Sequence, residues 1–265
     1  TEIYTLSLHD ALPISHILEE YYSDAFMTVQ DVFREARRRG VVNIIECGDS
    51  IETSKEVSKY ASEFYNLVYA AVGIHPQNDD EFNEKNMIIL ENLIKRKGVV
   101  AIGEIGLDYH FPNTDKERQI KLFRRQLSLA EKYNLPVIVH SRDAIQDTYD
   151  ILKEYQVKGV IHCFSGSLEM AKLFIRLGFY LGIGGAVTFN NSLNLVDVVK
   201  NIRLECLLLE TDSPFMSPVP LRGSKNVPWN VSYVAEKIAD IKEMYSIDVV
   251  RTTTNNAITL FDLKS

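Results

Sequence analysis

The chain has no apolar run near the roughly 20 residues that a membrane-crossing helix needs; its longest, such as "NLPVIVH" and "CLLLE", are far shorter. Cysteine is scarce. Cys47, Cys163 and Cys206 stand apart with no CxxC spacing, so neither a disulfide framework nor a thiolate zinc site is indicated, and a cytoplasmic location is the expected one. Positive charge is in deficit: 29 Lys and Arg against 36 Asp and Glu leave a net charge of −7. The chain as a whole therefore repels polyanions, and any nucleic-acid role has to rest on a local site. There is no short repeat, low-complexity tract or linker, and no GxGxxG or GxxxxGK[ST] follows a strand-like run. Those absences argue against a solenoid and against the usual dinucleotide and P-loop sites.

What the 265 residues do contain is 46% hydrophobic and 25% charged side chains, enough apolar surface for one large core. Short apolar runs bounded by Gly or Pro, "VVNIIECG", "LVYAAVGIHP", "GVVAIGEIG", "LPVIVHS", "GVIHCFSG", "FYLGIGG" and "CLLLETDSP", alternate with amphipathic stretches. The runs lack polar alternation, as strands covered on both faces do. In "TDKERQIKLFRRQLSLAEKY", Ile120, Phe123, Leu127 and Ala130 fall three or four apart, and Thr114 or Asp115 can cap the start. Adding a strand before the helix expected from about Val29 to Arg39 makes eight. Eight parallel strands alternating with helices over roughly 250 residues describe a single-domain α/β TIM (β/α)8 barrel, favoured over an open doubly wound sheet.

Catalytic groups of such barrels sit at the carboxyl ends of strands. His75 ends the third run, Glu104 the fourth, His140 the fifth, His162 the sixth and Asp212 the eighth. Alone, each has an ordinary reading: a satisfied rim histidine, a helix cap, a salt-bridged acid. Among them His140, His162, Glu104 and Asp212 put two histidines, a glutamate and an aspartate at one mouth, costly to desolvate without a cation. Imidazole with carboxylate suits zinc, manganese or iron, and a carboxylate can bridge two ions that activate water and clamp a phosphoryl group. His75, in "GIHPQ", is expected to contact substrate, with a turn at Pro76 as the plain alternative. Cys163 follows His162 and by strand alternation is expected to point away and pack.

The segments "GEIGLDYH", "PVIVHSRDA", "VIHCFSGS", "LLLETDSPF", "GIHPQ", "RGSKNVPWNVSYVAEKIA" and "NNAITLF" resemble the TatD family of metal-dependent hydrolases, within the amidohydrolase-like barrels. The likeness runs from about His16 onward. It implies two divalent ions (Zn, Mg, Mn or similar) bridged by Glu104, with His140 and His162 on one and Asp212 on the other. Asp212 would help to orient or deprotonate the attacking water. It further implies phosphodiester hydrolysis on DNA, at single strands or duplex ends, with no membrane and no obligate protein partner. A small amide, lactone or phosphoester substrate, or a non-catalytic binding barrel, is the alternative; a Schiff-base lyase lacks a strand-end lysine.

Arg142, Arg222 and Lys225 lie in loops expected at the mouth, where they would meet phosphates, and Tyr109, Phe111, Phe164, Phe215 and Trp229 would offer stacking faces; ordinary loop packing is the other reading. The chain departs from the family at its front. Members open with a strand ending in H-x-H, whereas "TEIYTLSLHDALPISHILEE" offers "ISH", which makes His16 the second histidine and leaves Ile14 where the first belongs. Residues 1–15 therefore read as a non-native leader replacing the start of the first strand, and 16–265 as the hydrolase barrel. His9 is incidental in this reading, and the first ion's site is expected to be weakened.

Overall fold

The structure, a computed structural model, describes residues 13–22 and 27–263. Its strands are β1 (Ile14–Ser15), β2 (Ile44–Cys47), β3 (Val68–Val72), β4 (Val99–Asp108), β5 (Val137–Arg142), β6 (Gly159–Ile161), β7 (Phe179–Ile183) and β8 (Leu207–Leu209), which lie side by side in sequence order. Every neighbouring pair is parallel, so the expected TIM barrel is the fold. The seam between last and first strands lies just beyond β8: the Thr211 amide donates to the Ile14 carbonyl at 3.2 Å and the His16 amide to the Ser213 carbonyl at 2.7 Å. Residues 1–12, with His9 and most of the stretch read as a leader, lie outside the described residues. Of the rest of that stretch, Ile14 pairs with Ile45 and Ser15 with Glu46.

The helices are α1 (Glu19–Tyr22), α2 (Val29–Arg38), α3 (Ile51–Glu63), α4 (Glu84–Ile94), α5 (Lys116–Tyr133), α6 (Ile145–Leu152), α7 (Leu168–Arg176), α8 (Leu193–Asn201), α9 (Val231–Lys242) and α10 (Ser246–Phe261). Local chemistry starts several of them. Thr28 caps α2 and Ser50 caps α3 in reciprocal boxes with Asp31 and Thr53, and Asp115 caps α5 through the Arg118 amide. No helix among the described residues is long and apolar enough to cross a membrane.

Two apolar layers follow from strand alternation. A small inner cluster, with Ile14, Ile45, Cys47, Ala71, Ala101, Ile138, Val160 and Leu208, meets Leu260 and Phe261 of α10. A larger outer cluster carries the other strand face onto the helices through Phe33, Phe123 and Phe174, each worth about 1.5–3 kcal/mol when fully buried. With the interior packed by apolar side chains, Glu104, His140, His162 and Asp212 gather at the mouth. One difference from the sequence reading matters there: β4 does not give out at Glu104 but runs on to Asp108, with a register shift between Ile102 and Ile105. An inward acid ends a strand only when it lacks partners, and Glu104 has them.

Candidate metal centre

Glu104 is the hub of the mouth. Its Oε1 lies 3.0 Å from His140 Nδ1, and its Oε2 lies 3.0 Å from His16 Nε2 and 4.0 Å from His162 Nε2. Asp212 Oδ1 approaches His162 Nε2 at 3.1 Å and His16 Nε2 at 3.7 Å. The seam supplies that neighbourhood, because the Asp212 amide also reaches the Ile14 carbonyl. Gly106 brings β4 and β5 together: at φ +143 a side chain there would sit 2.0 Å from the His140 carbonyl oxygen, a conformation and an approach open to glycine alone.

Each of the three imidazoles is held from behind. His16 Nδ1 donates to the Cys47 carbonyl at 3.1 Å, His140 Nε2 to Asp108 at 3.1 Å and His162 Nδ1 to Glu210 at 2.8 Å. Carbonyls and carboxylates only accept, so these outer nitrogens carry protons, and the inner nitrogens donate to Glu104 and Asp212 as well; it is the inner protons that a metal ion would replace. Glu210 is fully buried, and its second oxygen accepts the Cys163 amide at 2.6 Å. Gly182 makes room for it, since a Cβ there would lie 2.2 Å from Glu210 Oε2.

The charges follow from this packing. Burial pushes Glu104 up, but the His162 charge and hydrogen bonds from His140 and His16 outweigh it and hold the carboxyl well below its ordinary value. Burial likewise opposes the charge on His140, yet its bonds to Asp108 and Glu104 lift it to about 9; His16 is also raised against burial, by Glu104. Protons on these rings thus do the work of a cation between two carboxylates. Three inward imidazole nitrogens with Glu104 and Asp212, largely shielded from water, are a donor set that fits a divalent ion of the zinc or manganese kind.

Donor atoms come within 4.8 Å of one another in two groups at the mouth, His16 with His162 and Asp212, and His75 with Glu104 and His140. The resemblance pairs His162 with His140; the geometry sets its inner nitrogen beside Asp212 and His16. His75 differs from the other rings. Its Nδ1 accepts the Gln77 amide at 3.2 Å, and burial followed by the His140 charge push it to about 4. A neutral ring accepting at Nδ1 carries its proton on Nε2, so His75 is a donor at the mouth and no metal ligand. A third group, His162, Cys163 and Glu210, is already accounted for by the two hydrogen bonds that Glu210 accepts.

The cavity around the centre, about 350 Å³, is lined by His16, His75, Glu104, His140, His162 and Asp212, together with Arg142 and Phe215 at its rim. Cys163 lines it too, which corrects the expectation that it points away: β6 ends at Ile161, and Cys163 has φ 43, so strand alternation no longer applies. Other rim candidates are elsewhere. Tyr109 bonds Asp147 under Lys116 beside a neighbouring depression, and Arg222 lies over the Phe189 ring at 3.9 Å. Phe111 is exposed near Arg142. Phe164 is a core residue packed on Phe174, Trp229 sits beneath Arg39, and Lys225 reaches the Tyr21 carbonyl.

Asp108, Glu210 and Glu46 escaped the sequence reading. Asp108, fully buried, accepts from His140, Gln77 and the His110 amide; as the residue four after Glu104 on one strand it shares its face, a period-two signal that was there to use. Glu210 lies just past β8 and Asp212 has φ 56, so no alternation rule pointed to it. Glu46 faces the outer layer, accepts the Ile17 amide at 2.6 Å, and is pushed by burial up to about 7.

Comparison with known proteins agrees with the fold. The sequence model of a family described as TatD related DNase matches residues 15–262. YabD of Bacillus subtilis strain 168, described as an uncharacterized metal-dependent hydrolase, is 41% identical over 246 residues, covering 92% of this chain and 94% of YabD. YcfH of Escherichia coli K12, described in the same words, is 37% identical over 246 residues, 91% of each chain. The crystal structure of the E. coli TatD homologue YjjV superimposes with a TM-score of 0.88 at 30% identity, over 97% of this chain and 100% of that one.

Proposed function

The chain belongs to the TatD-related DNase family of metal-dependent hydrolases, and on that premise we propose that it is a deoxyribonuclease that hydrolyses phosphodiesters with two divalent ions at the barrel mouth. The observation that carries the proposal is the division of Glu104, one oxygen turned to His140 and the other to His16 and His162. Glu104 and His140 would hold one ion, and Glu104, His16, His162 and Asp212 the other. Such ions, when bound, polarise a phosphoryl oxygen and lower the pKa of water.

The side chains do the rest. Asp212, less enclosed than Glu104, accepts the proton of the attacking water and orients it. His75 donates its Nε2 hydrogen to a phosphate oxygen, and Arg142 meets a second phosphate at the rim. Phe215, exposed and edge-on to Tyr21 at 5.2 Å between ring centres, gives a base a face to stack on. In the test, purified protein is assayed for bound metal and for cleavage of a labelled single-stranded oligodeoxynucleotide. Divalent metal, with cleavage abolished by chelator and restored by manganese, is the expected result; a metal-loaded chain that cuts no oligonucleotide overturns the reading.

Ile14 bears on how tightly the Asp212-side ion is held. It is buried in the inner cluster two residues before His16, where it offers no lone pair. Ile14→His is expected to raise affinity for one ion of the pair at least about tenfold, since even an outer partner of a ligand is commonly worth 10–100-fold. Titration of apo protein with zinc reads this directly. Unchanged stoichiometry and affinity in a folded variant would reject the assignment of position 14.

A further inference from the structure

The mouth is one trough with two unlike ends. On one side, a space of about 600 Å³ shares Tyr21, Asp49, His75 and Gln77 with the central cavity, and among the described residues its walls carry Glu19, Glu20, Asp49, Glu52 and Glu56 and no Lys or Arg. On the other, a space of about 560 Å³ shares His140, Arg142, His162 and Cys163 with the centre and, among the described residues, has no Asp or Glu in its lining. That side offers the amides of Asn191 and Asn194, the Ser192 hydroxyl and the apolar Leu193 and Met216, a mixture suited to a base and sugar.

We propose that this asymmetry fixes how a nucleotide chain lies. The polyanionic body of the strand runs from the centre over the Arg142 and Asn191–Leu195 side, and the carboxylate side takes only an end that bears no phosphate. A terminal phosphate delivered there meets several like charges at close range in a partly enclosed space, which weakens binding far more than one exposed pair would. Among the described residues, none of the groups with metal-ligand spacing includes these carboxylates, so they form no cation site that would invert this. Nor does the amino end of α3 at this wall offer an open anion site: the Ile51 amide already donates to Glu81 at 2.8 Å and the Thr53 amide to Ser50 at 3.1 Å.

The inference rests on the nuclease reading and is tested so that the two can fail separately. Three labelled pentadeoxynucleotides, one with hydroxyls at both ends, one 5′-phosphorylated and one 3′-phosphorylated, are incubated with the manganese-loaded chain and, in parallel, titrated by fluorescence anisotropy in chelator. One terminal phosphate, and not the other, is expected to slow hydrolysis at least about tenfold and to weaken binding, with the penalty shrinking as salt rises. The double substitution Glu19→Gln with Glu52→Gln, at two exposed residues outside the metal centre, is expected to remove most of that penalty and leave the unphosphorylated oligomer within about twofold of its original rate. Equal rates and affinities for all three oligomers, or a penalty untouched by the double substitution, overturn the inference and leave the nuclease reading standing. Hydrolysis of none of them overturns both.

Discussion

Glu104→Gln is expected to empty both ion positions and to slow hydrolysis by at least several hundredfold, roughly the rate equivalent of losing several kcal/mol of Lewis-acid stabilisation. The substitution keeps size and shape, so the register of β4 has no reason to change. What it removes is the charge at the hub. Glu104 is 4% exposed and faces three imidazoles; a neutral amide there cannot balance a divalent ion on either side, and it offers one acceptor oxygen where the carboxylate offered two. Elemental analysis after dialysis, with circular dichroism to show an intact fold, separates lost metal from lost structure. A folded Glu104→Gln protein with full metal content would remove Glu104 from the bridge.

Asp212→Asn is expected to behave differently. His16 and His162 stay as ligands, Glu104 is untouched, and the isosteric amide keeps an oxygen, so much of the metal should remain. The carboxylate that takes the proton is gone, and positioned bases contribute about 10²–10⁴-fold. The loss should therefore fall on kcat with KM little changed. Near-normal kcat would show that Asp212 only holds an ion. A protein that loses its metal as completely as Glu104→Gln does would show that the two acids share one role.

The barrel was legible because its evidence is repeated. Seven apolar runs with Gly or Pro borders each vote for a buried parallel strand, and a misplaced boundary changes nothing. The residues of the centre were legible as well, since His140, His162, Glu104 and Asp212 interrupt those runs. Their supports were harder to see. Asp108 and Glu210 look like loop acids following a strand, and only the three-dimensional fact that an imidazole needs an acceptor behind it makes them part of the site. Cys163 was misread because a period-two rule was carried one residue past the strand into a backbone turn. Trp229, which lies beneath Arg39, reads as a rim aromatic because hydrophobicity says nothing about which side of a loop is wet. The unequal ends of the trough belong to this class too: Glu19 and Glu52 are separated in sequence, and only the fold puts them on one wall.

The seam closed by Ile14, His16, Thr211 and Ser213 has a consequence for the timing of activity. Donors from the first strand and from just past the eighth meet across it, so a chain emerging from the ribosome holds His16, Glu104, His140 and His162 long before Asp212 is made. Such long-range closure comes late for entropic reasons as well. A half-synthesised polypeptide thus lacks Asp212, the group proposed to take the proton from water, and the full donor set is assembled only with the completed fold.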